Sequence, residues 1–297
     1  MSDALVVSAP ASSANLGPGF DCLALALDIR NRVEIRAAAG AAMQVTVVGE
    51  GAGEAPAGLD NLFLRAFVAA GGDPAGLCFD MHNEVPFARG LGSSAATIVA
   101  GLVAADAWHD RPPRDLLGLA TELEGHPDNV AAALNGGLTL AWTGAGGVSA
   151  IGFGAPEAGF VTVVPEQRLS TAQARAALPD QVPHADAVHN AARAALLVAA
   201  LGSGDADLLR DALDDRLHEP YRAPLAPLLG AVRERLPALP GALGATLSGA
   251  GPAVLVWCRP EAGAGVADLL FGLDGAAALP LAVAESGAMV ERAGADG

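Results

Sequence analysis

The first half of the chain carries short runs of apolar residues of the length that strands have. Segments 4–9 (ALVVSA) and 43–49 (MQVTVVG) are rich in β-branched residues, and 32–37 (RVEIRA) alternates apolar with polar positions. These patterns predict β-strands. Three more strands are predicted at 76–83, 137–142 and 159–165.

Apolar residues at helical spacing predict helices between these strands and through the second half. Asp60 precedes one such pattern and is predicted to cap its helix, and small and apolar residues predict another helix after Ser93. Proline near the start or glycine at the end bounds several others. The remaining predicted helices cover 113–125, 129–137, 170–178, 184–202, 205–217, 222–236 and 262–273, and strands return at 244–249 and 253–258.

The mixture of strands and helices lacks a regular βαβ repeat, which predicts an α+β fold. A chain of 297 residues has room for two medium domains. The change from strand-rich to helix-rich sequence places the boundary near residue 160, giving domains 1–160 and 161–297. No period of about 20 to 50 residues is visible, which argues against a solenoid.

The charge balance narrows the classes of ligand. Acidic residues outnumber basic ones 33 to 17, and the formal charge of −16 disfavours nucleic acid and anionic membrane surfaces as partners. Every basic residue is an arginine, since the sequence contains no lysine. This excludes Schiff-base chemistry, a lysine general base and a Walker A phosphate loop. An anion must be bound by arginine, by backbone N–H groups or by a metal.

Cysteine content and the N-terminal sequence bear on compartment and metal binding. Cys22, Cys78 and Cys258 are far apart and show no CxxC spacing, so neither a zinc site nor a disulfide scaffold is indicated. Buried free thiols are expected instead. The first ten residues lack the pattern of a signal peptide, and no apolar run reaches the length of a membrane span. We expect a cytoplasmic protein.

The stretch 89–97 (RGLGSSAAT) is the strongest candidate for an anion site. Gly90 and Gly92 permit a tight turn and close backbone approach, and the helix after Ser93 presents unpaired N–H groups. The hydroxyls of Ser93 and Ser94 can cap the helix, contact phosphate or bind Mg²⁺.

Other interpretations of this stretch compete with phosphate binding. A plain helix start needs only one serine and neither glycine. A dinucleotide fingerprint matches G-L-G-S-S-A in part, but no clean strand precedes it. A nucleophile elbow is excluded, because GxSxG is absent here.

Three further clusters contain candidate chemistry, each with a structural alternative. Polar residues surround a Gly-Pro-Gly turn in 8–27, where an Asx-turn is the alternative. Carboxylates and a histidine gather in 122–129, where helix capping and solvent exposure are the alternatives. The turn 248–252 permits close backbone approach or is a simple hairpin loop. Four arginines could bind a small carboxylate ligand or form ion pairs at the surface: Arg168, Arg175, Arg216 and Arg222.

Four segments together resemble the GHMP kinases, a superfamily of ATP-dependent small-molecule kinases. They occur in the order of that family's motifs, and the match is similar in particular to the homoserine kinases within it. The matching segments are SAPASSANLGPGFDCLALAL (8–27), PFARGLGSSAAT (86–97), EGHPDNVAAALNGG (124–137) and GATLSGAGPAV (244–254).

This resemblance implies a two-domain α+β fold. The N-terminal domain would be a ribosomal-protein-S5-like α/β domain, and the C-terminal one a ferredoxin-like α/β sandwich. The implied activity is transfer of the ATP γ-phosphate to the side-chain hydroxyl of L-homoserine with Mg²⁺, a step of threonine biosynthesis. Relatives are often homodimers. A kinase for another small alcohol, a non-catalytic binder of amino acid and nucleotide, and an NAD-dependent oxidoreductase stay as alternatives.

The resemblance also implies roles for individual residues. Ser94 and a glutamate would hold Mg²⁺; Glu124 is the first choice and Glu122 the second. Asn129 stands where other superfamily members have an aspartate base, so the γ-phosphate itself is expected to take the hydroxyl proton. The ATP site would comprise Asn61 near adenine, Pro86, Arg89, Gly90, Leu91, Gly92, Ser93, Ser94, Ala95 and Ala96. The substrate site would comprise Asn15, Asp21, Asn129, Thr171, Arg175, Arg222, Ser248 and Gly249.

Overall fold

The larger of two β-sheets is built mainly from the first half of the chain. A computed structural model describes residues 4–293. Within them this sheet has strands β1 (Ala4–Ala14), β2 (Leu23–Ala37), β3 (Gln44–Gly49), β4 (Leu77–Asn83), β5 (Leu138–Gly144), β6 (Gly147–Gly152) and β11 (Met289–Ala293). One side of β2 pairs with β1, and the other side pairs with β4 and β5 at its two ends. β11 pairs with β1, so the end of the chain returns to this sheet.

The smaller sheet belongs to the second half of the chain. Its strands are β7 (Gly159–Val164), β8 (Ala242–Leu247), β9 (Val254–Cys258) and β10 (Ala277–Pro280). They lie in the order β10-β7-β9-β8, and every pairing is antiparallel. The turn between β8 and β9 contains the glycine-rich segment 248–252.

Helices cover the sheets and enclose separate apolar cores. In chain order they are α1 (Leu62–Ala69), α2 (Ser93–Trp108), α3 (Leu117–Glu124), α4 (Pro127–Asn135), α5 (Thr171–Ala176), α6 (His184–Ser203), α7 (Ala206–Ala212), α8 (Glu219–Arg222), α9 (Leu228–Arg235) and α10 (Gly263–Leu270). Phe63, Phe67 and Phe79 cluster between α1 and the first sheet. Residues of α9 and α10 cover the second sheet.

A separate apolar cluster joins the two halves. Leu25 and Leu27 of β2 belong to the same buried cluster as Phe160, Leu213 and Trp257 of the second half. Burial of this apolar surface is favourable at about 25 cal/mol per Å², so it holds the two sheets together. The loops at the ends of their strands are thereby brought side by side, and the candidate site lies among these loops.

The α+β prediction is confirmed, and most predicted elements are present with shifted ends. The predicted cap of α1 is wrong by one residue, because Asn61 rather than Asp60 accepts the N–H of Phe63. The helix predicted from 113 begins only at Leu117, whose N–H is accepted by the Asp115 side chain.

Two predictions in the second half need larger corrections. The helix predicted at 222–236 is split, with α8 ending at Arg222 and α9 beginning at Leu228. Pro224 and Pro227 lie between them, and proline inside a helix removes a donor and clashes with the preceding turn. The helix predicted at 205–217 ends at Ala212. Strands β6, β10 and β11 were not predicted.

Within residues 4–293, no helix combines enough length with enough apolar character to cross a membrane.

Candidate active site

The loop between β1 and β2 is tightly fixed in a strained conformation. Asn15, Leu16 and Asp21 have φ angles of 68°, 50° and 56°, in the left-handed region that side chains other than glycine rarely adopt. The Asn15 side chain holds the loop together: its Nδ2 donates to the Gly249 carbonyl at 2.7 Å, and its Oδ1 accepts the Asp21 N–H at 3.0 Å. Asn15 therefore ties this loop to the glycine-rich turn of the second half.

The glycines of the candidate phosphate loop lie directly against neighbouring chain segments. Gly90 has φ +80°, and a Cβ there would lie 2.3 Å from the Ser248 carbonyl oxygen. Gly92 has φ +65°, and a Cβ there would lie 2.0 Å from Ser12 Oγ. Only glycine satisfies both the backbone angle and the available space. The loop backbone is thus held where a ligand can approach it closely.

The N-terminus of α2 opens onto the cavity beside this loop. The helix begins at Ser93 after Gly92, and no described side chain caps its first turn. Its free N–H groups and the positive end of its dipole favour an anion here.

The two alanines at the end of the predicted phosphate loop lie outside the lining of the cavity. Ala95 and Ala96 are fully buried, and the Ala96 N–H already donates to the Gly92 carbonyl at 2.9 Å. Neither alanine lines the cavity. The part of the loop that lines the cavity therefore ends at Ser94.

A cavity of about 220 Å³ brings most of the predicted site residues together. The glycine loop, from Pro86 to Ser94, forms one wall, and Gly249 to Gly251 contribute backbone. Arg89 belongs to the loop wall, with its guanidinium bound to the Glu50 carboxylate at 3.2 Å and the Pro165 carbonyl at 2.9 Å. The polar side chains around the cavity are Asn15, Asp21, Glu124, His126, Asp128, Asn129, Ser170, Thr171, Arg175 and Arg222.

Ser248 lies against the glycine loop. Its side chain is fully buried, and its hydroxyl donates to the Gly90 carbonyl at 2.7 Å. It does not line the cavity. Ser248 holds the glycine loop against the turn that follows β8, and its direct contact with substrate stays a prediction.

A second cavity of about 310 Å³ adjoins the first and shares Phe87, Ser93 and Ser94 with it. Asn61 lines it as predicted, but both ends of its amide are already bonded. Its Oδ1 accepts the Phe63 N–H, and its Nδ2 donates to the Pro56 carbonyl, each at 2.9 Å. Apolar side chains supply much of the wall: Val33, Val47, Pro56, Leu62, Phe63, Met81 and Phe87.

Ser94 and Glu124 form an oxygen pair at the junction of the two cavities. The Ser94 hydroxyl donates to Glu124 Oε1 at 2.6 Å. Burial raises the pKa of Glu124 to about 7, against the opposing effect of the Ser94 hydrogen bond. Glu122, the alternative candidate, is exposed and does not line the cavity. No cluster of three metal-binding side chains exists within residues 4–293.

The Asn129 side chain is held by hydrogen bonds at both its oxygen and its nitrogen. Its Oδ1 accepts the hydroxyl of buried Ser12 at 2.9 Å. Its Nδ2 and backbone N–H both donate to Asp128 Oδ1, at 3.2 and 2.7 Å. Burial raises the pKa of Asp128 to about 6. One N–H of Nδ2 is still able to donate to a ligand in the cavity, and the amide offers no basic atom.

Charged side chains from both halves meet at the other end of the first cavity. Arg175 binds Asp21 through two hydrogen bonds of 2.6 and 3.1 Å. Arg222 is 1 % exposed, and its guanidinium carbon lies 5.3 Å from the centroid of the Phe20 ring. The guanidinium carbon of Arg175 lies 5.8 Å from the same centroid. Burial lowers the pKa of Arg222, and neighbouring Arg175 adds to the effect.

Sequence reasoning missed two residues of this charged end. Phe20 lies within the segment 8–27 but was not predicted as a site residue, and neither was His218. The signal for His218 was present, since it stands four residues before Arg222 and positions i and i+4 of a helix face the same side.

Comparison with known proteins identifies the family. The family model described as "GHMP kinases N terminal domain" matches residues 61–137, and the one described as "GHMP kinases C terminal" matches 197–268. A homoserine kinase of Moorella thermoacetica is 43% identical over 266 residues, covering 86% of this chain and 87% of the relative. The chain belongs to the homoserine kinases of the GHMP kinase family.

Further homoserine kinases support this assignment. The one from Streptomyces coelicolor is 44% identical, covering 95% of this chain and 96% of the relative. The crystal structure of a homoserine kinase from Cytophaga hutchinsonii has a TM-score of 0.85 and 28% identity, with 98% of each chain covered. A mevalonate kinase structure, at 14% identity and a TM-score of 0.69, covers 95% of this chain and 99% of its own and shares the fold. The predicted two-domain GHMP kinase fold is confirmed.

Proposed function

We propose that this chain transfers the γ-phosphoryl group of ATP to the side-chain hydroxyl of L-homoserine, giving O-phospho-L-homoserine and ADP. The relatives named homoserine kinase suggest this substrate. The observation that carries the proposal is the composition of one cavity. An anion-binding loop and helix N-terminus face it from one side, and an acid with two arginines face it from the other.

The nucleotide site is proposed to extend across both cavities. The phosphates would lie against Gly90–Ser94 and the N-terminus of α2, where backbone N–H groups replace the lysine that this sequence lacks. The mainly apolar wall of the second cavity suits the faces of adenine. Asn61 supports this pocket by fixing the loop at Pro56 to the start of α1.

The Ser94 and Glu124 oxygens are proposed to hold Mg²⁺. They are hard oxygen donors 2.6 Å apart beside the phosphate loop, and Mg²⁺ in kinases is bound by few protein groups together with phosphates and water. Bound Mg²⁺ would neutralise charge on the phosphates. The carboxylate of Glu124 must be ionised to serve as a ligand.

The amino-acid end of L-homoserine is proposed to bind between the two halves. Asp21 would accept the ammonium group, and Arg175 and Arg222 would bind the carboxylate. Without substrate, Asp21 and Arg175 neutralise each other. A zwitterion carries both charges, so it can replace each partner of this ion pair. Gly249 and Thr171 line the same end and complete the pocket.

The acceptor hydroxyl is proposed to lie beside Asn129, whose amide nitrogen can orient it. Its oxygen forms the new bond to the γ-phosphorus, and the bond from that phosphorus to the β-phosphate oxygen breaks. The hydroxyl proton passes to the transferred phosphoryl group. A loose transition state depends mainly on positioning and charge stabilisation, so a side-chain base is not required.

ADP release by the purified full chain with Mg²⁺-ATP tests this function. L-homoserine is compared with serine, threonine, mevalonate and galactose, and the product is identified by phosphorus NMR. We expect turnover that depends on L-homoserine. Turnover with another alcohol instead would support the assignment of the nucleotide site and refute the assignment of L-homoserine as the substrate. Binding of nucleotide and amino acid without turnover would identify a non-catalytic binder.

A further inference from the structure

His218 contacts Arg222 and does not itself line the cavity. It is fully buried and directly precedes α8, whose last residue is Arg222. His218 Nδ1 lies 3.1 Å from Arg222 Nη1, and His218 Nε2 lies 2.9 Å from the Gly17 carbonyl oxygen. The ring therefore bridges Arg222 and the β1–β2 loop.

The two contacts define the tautomer of the ring. A carbonyl oxygen only accepts hydrogen bonds, so Nε2 must carry the hydrogen that reaches Gly17. Nδ1 then has a free lone pair and accepts an N–H of Arg222. Burial lowers the pKa of His218 to about 4, and the neighbouring Arg222 charge acts in the same direction while Asp215 opposes it. The neutral ring fits both contacts.

Neighbouring groups hold the ring and its backbone in place. Phe20 stacks on the imidazole, with ring centroids 5.1 Å apart. The buried carboxylate of Asp215 accepts the N–H of His218 at 2.9 Å and the N–H of Glu219 at 2.7 Å. Asn190 donates to the same carboxylate at 2.8 Å. The position of His218 is thus fixed independently of Arg222.

The contacts of Arg222 divide its guanidinium into a bound and a free part. Nη1 donates to His218, and Nε donates to the Ala174 carbonyl at 3.3 Å. Nη2 has no hydrogen-bond partner among the described residues, and Arg222 lines the cavity. The bound atoms therefore orient the free one towards the substrate space.

We infer that His218 is a positioning residue for substrate recognition, which holds Arg222 so that its free guanidinium nitrogen faces the substrate carboxylate. The inference rests on the proposed function, because that function supplies the carboxylate. Loss of His218 leaves the arginine in place but lets its guanidinium rotate. It should weaken recognition of the carboxylate and leave the nucleotide site, on the other side of the cavity, unchanged.

The test combines a protein change with a substrate change. His218→Phe keeps a ring against Phe20 but removes both hydrogen bonds. It is assayed with L-homoserine and with 3-aminopropan-1-ol, which keeps the hydroxyl and ammonium groups but lacks the carboxylate. We expect the preference for L-homoserine, as a ratio of kcat/KM values, to fall by about tenfold or more, with the KM for ATP nearly unchanged.

Two further variants control for general damage. His218→Asn, which retains an acceptor near Arg222, should restore part of the preference. Thr246→Val removes a buried acceptor, the partner of Trp257 Nε1 at 3.0 Å, which is not among the hydrogen-bond partners of Arg222. It should keep the wild-type ratio. If His218→Phe slowed both substrates equally, the ratio would not move and the inference would be overturned.

Histidine-ring NMR of the wild-type chain provides a readout that needs no turnover. The His218 signals, identified by their loss in His218→Asn, should show a protonated Nε2 and an unprotonated Nδ1 at neutral pH. A protonated Nδ1 could not accept from Arg222 and would overturn the inference. If the wild-type chain did not phosphorylate L-homoserine, the proposed function would fail, and the ring measurement would then decide the positioning of Arg222 alone.

Discussion

Asp21 and Arg175 form a two-bond ion pair, at 2.6 and 3.1 Å, that joins the β1–β2 loop of the first half to α5 of the second. Each partner is about one-third exposed, so the pair faces the cavity and is not sealed in a core. Exposed pairs of this kind contribute about 1 kcal/mol or less to stability. Its position fits recognition of a zwitterion better than it fits stabilisation of the fold.

Asp21→Asn should therefore impair substrate binding far more than folding. The amide cannot balance the substrate ammonium charge, so the KM for L-homoserine should rise by about ten- to a hundredfold while the KM for ATP changes little. Steady-state kinetics measure both constants. Asp207→Asn, which breaks the exposed pair with Arg210, is the matched control and should match wild type. A similar KM for L-homoserine in both variants would contradict the assigned role of Asp21.

Gly90→Ala should destabilise the chain and disable the phosphate loop. The added Cβ would lie 2.3 Å from one carbonyl oxygen and 2.7 Å from another, at a positive φ. We expect a loss of about 2 kcal/mol or more in the free energy of unfolding, measured with urea. Gly118→Ala on α3 is the control, since a Cβ there meets nothing within 4 Å. Equal stability of the two variants would refute this reading of the loop.

Glu124→Gln tests the proposed magnesium ligand. Glutamine still accepts the Ser94 hydroxyl but lacks the negative charge that binds Mg²⁺. The Mg²⁺ concentration for half-maximal rate should rise by about tenfold or more. Glu122→Gln, two residues away on the exposed face of α3, should leave it unchanged. The reverse result would assign the metal to Glu122.

Asn129→Asp tests whether a missing base limits the rate. The new carboxylate would lie against Asp128, and repulsion between the two carboxylates would raise their pKa values. The substitution also removes the amide N–H that is proposed to orient the acceptor hydroxyl. We expect kcat to fall by about tenfold. Asn135→Asp, at the end of the same helix, should have little effect. A rate well above wild type would show that transfer does need a side-chain base.

The buried neutral His218 should make stability depend on pH. Its pKa falls from an ordinary value of 6.5 to about 4, through burial first, with Arg222 lowering it and Asp215 and Asp21 raising it. The neutral ring's contribution to the free energy of unfolding is fully present above pH 6.5. It is lost as pH falls towards 4, because the unfolded chain takes up the proton first.

The size of this effect follows from the gap between the two pKa values. It corresponds to about 3 kcal/mol, since one pH unit is worth about 1.4 kcal/mol. Urea unfolding of wild type and His218→Asn between pH 7 and pH 4 measures it, and the wild type should lose more stability. Parallel curves for the two proteins would mean that the ring is not held neutral.

Much of the fold followed from local patterns in the sequence. Apolar runs and glycine or proline boundaries located most strands and helices, because these signals act within a few residues. β6, β10 and β11 were missed because they are short or lie at a sheet edge, where pairing depends on distant segments. The division at residue 160 stays a prediction, and the return of β11 to the first sheet means that the two sheets do not divide the chain at one point.

The sequence predicted which residues belong to the site better than it predicted the contacts that they make. Motif order pointed to Asp21, Arg175 and Arg222, and the cavity brings them together. The sequence could not show that Ala96 uses its N–H within α2, or that Ser248 turns towards Gly90. Such roles depend on side-chain direction and on contacts between remote segments.

A crystal structure of the full chain with L-homoserine and a non-hydrolysable ATP analogue tests most directly where the amino acid and the nucleotide bind. We predict the substrate ammonium on Asp21, its carboxylate on Arg175 and Arg222, and its hydroxyl oxygen within about 3.5 Å of the γ-phosphorus. The phosphates should lie against Gly90–Ser94. An amino acid bound away from the Asp21 end, or phosphates bound away from this loop, would contradict it.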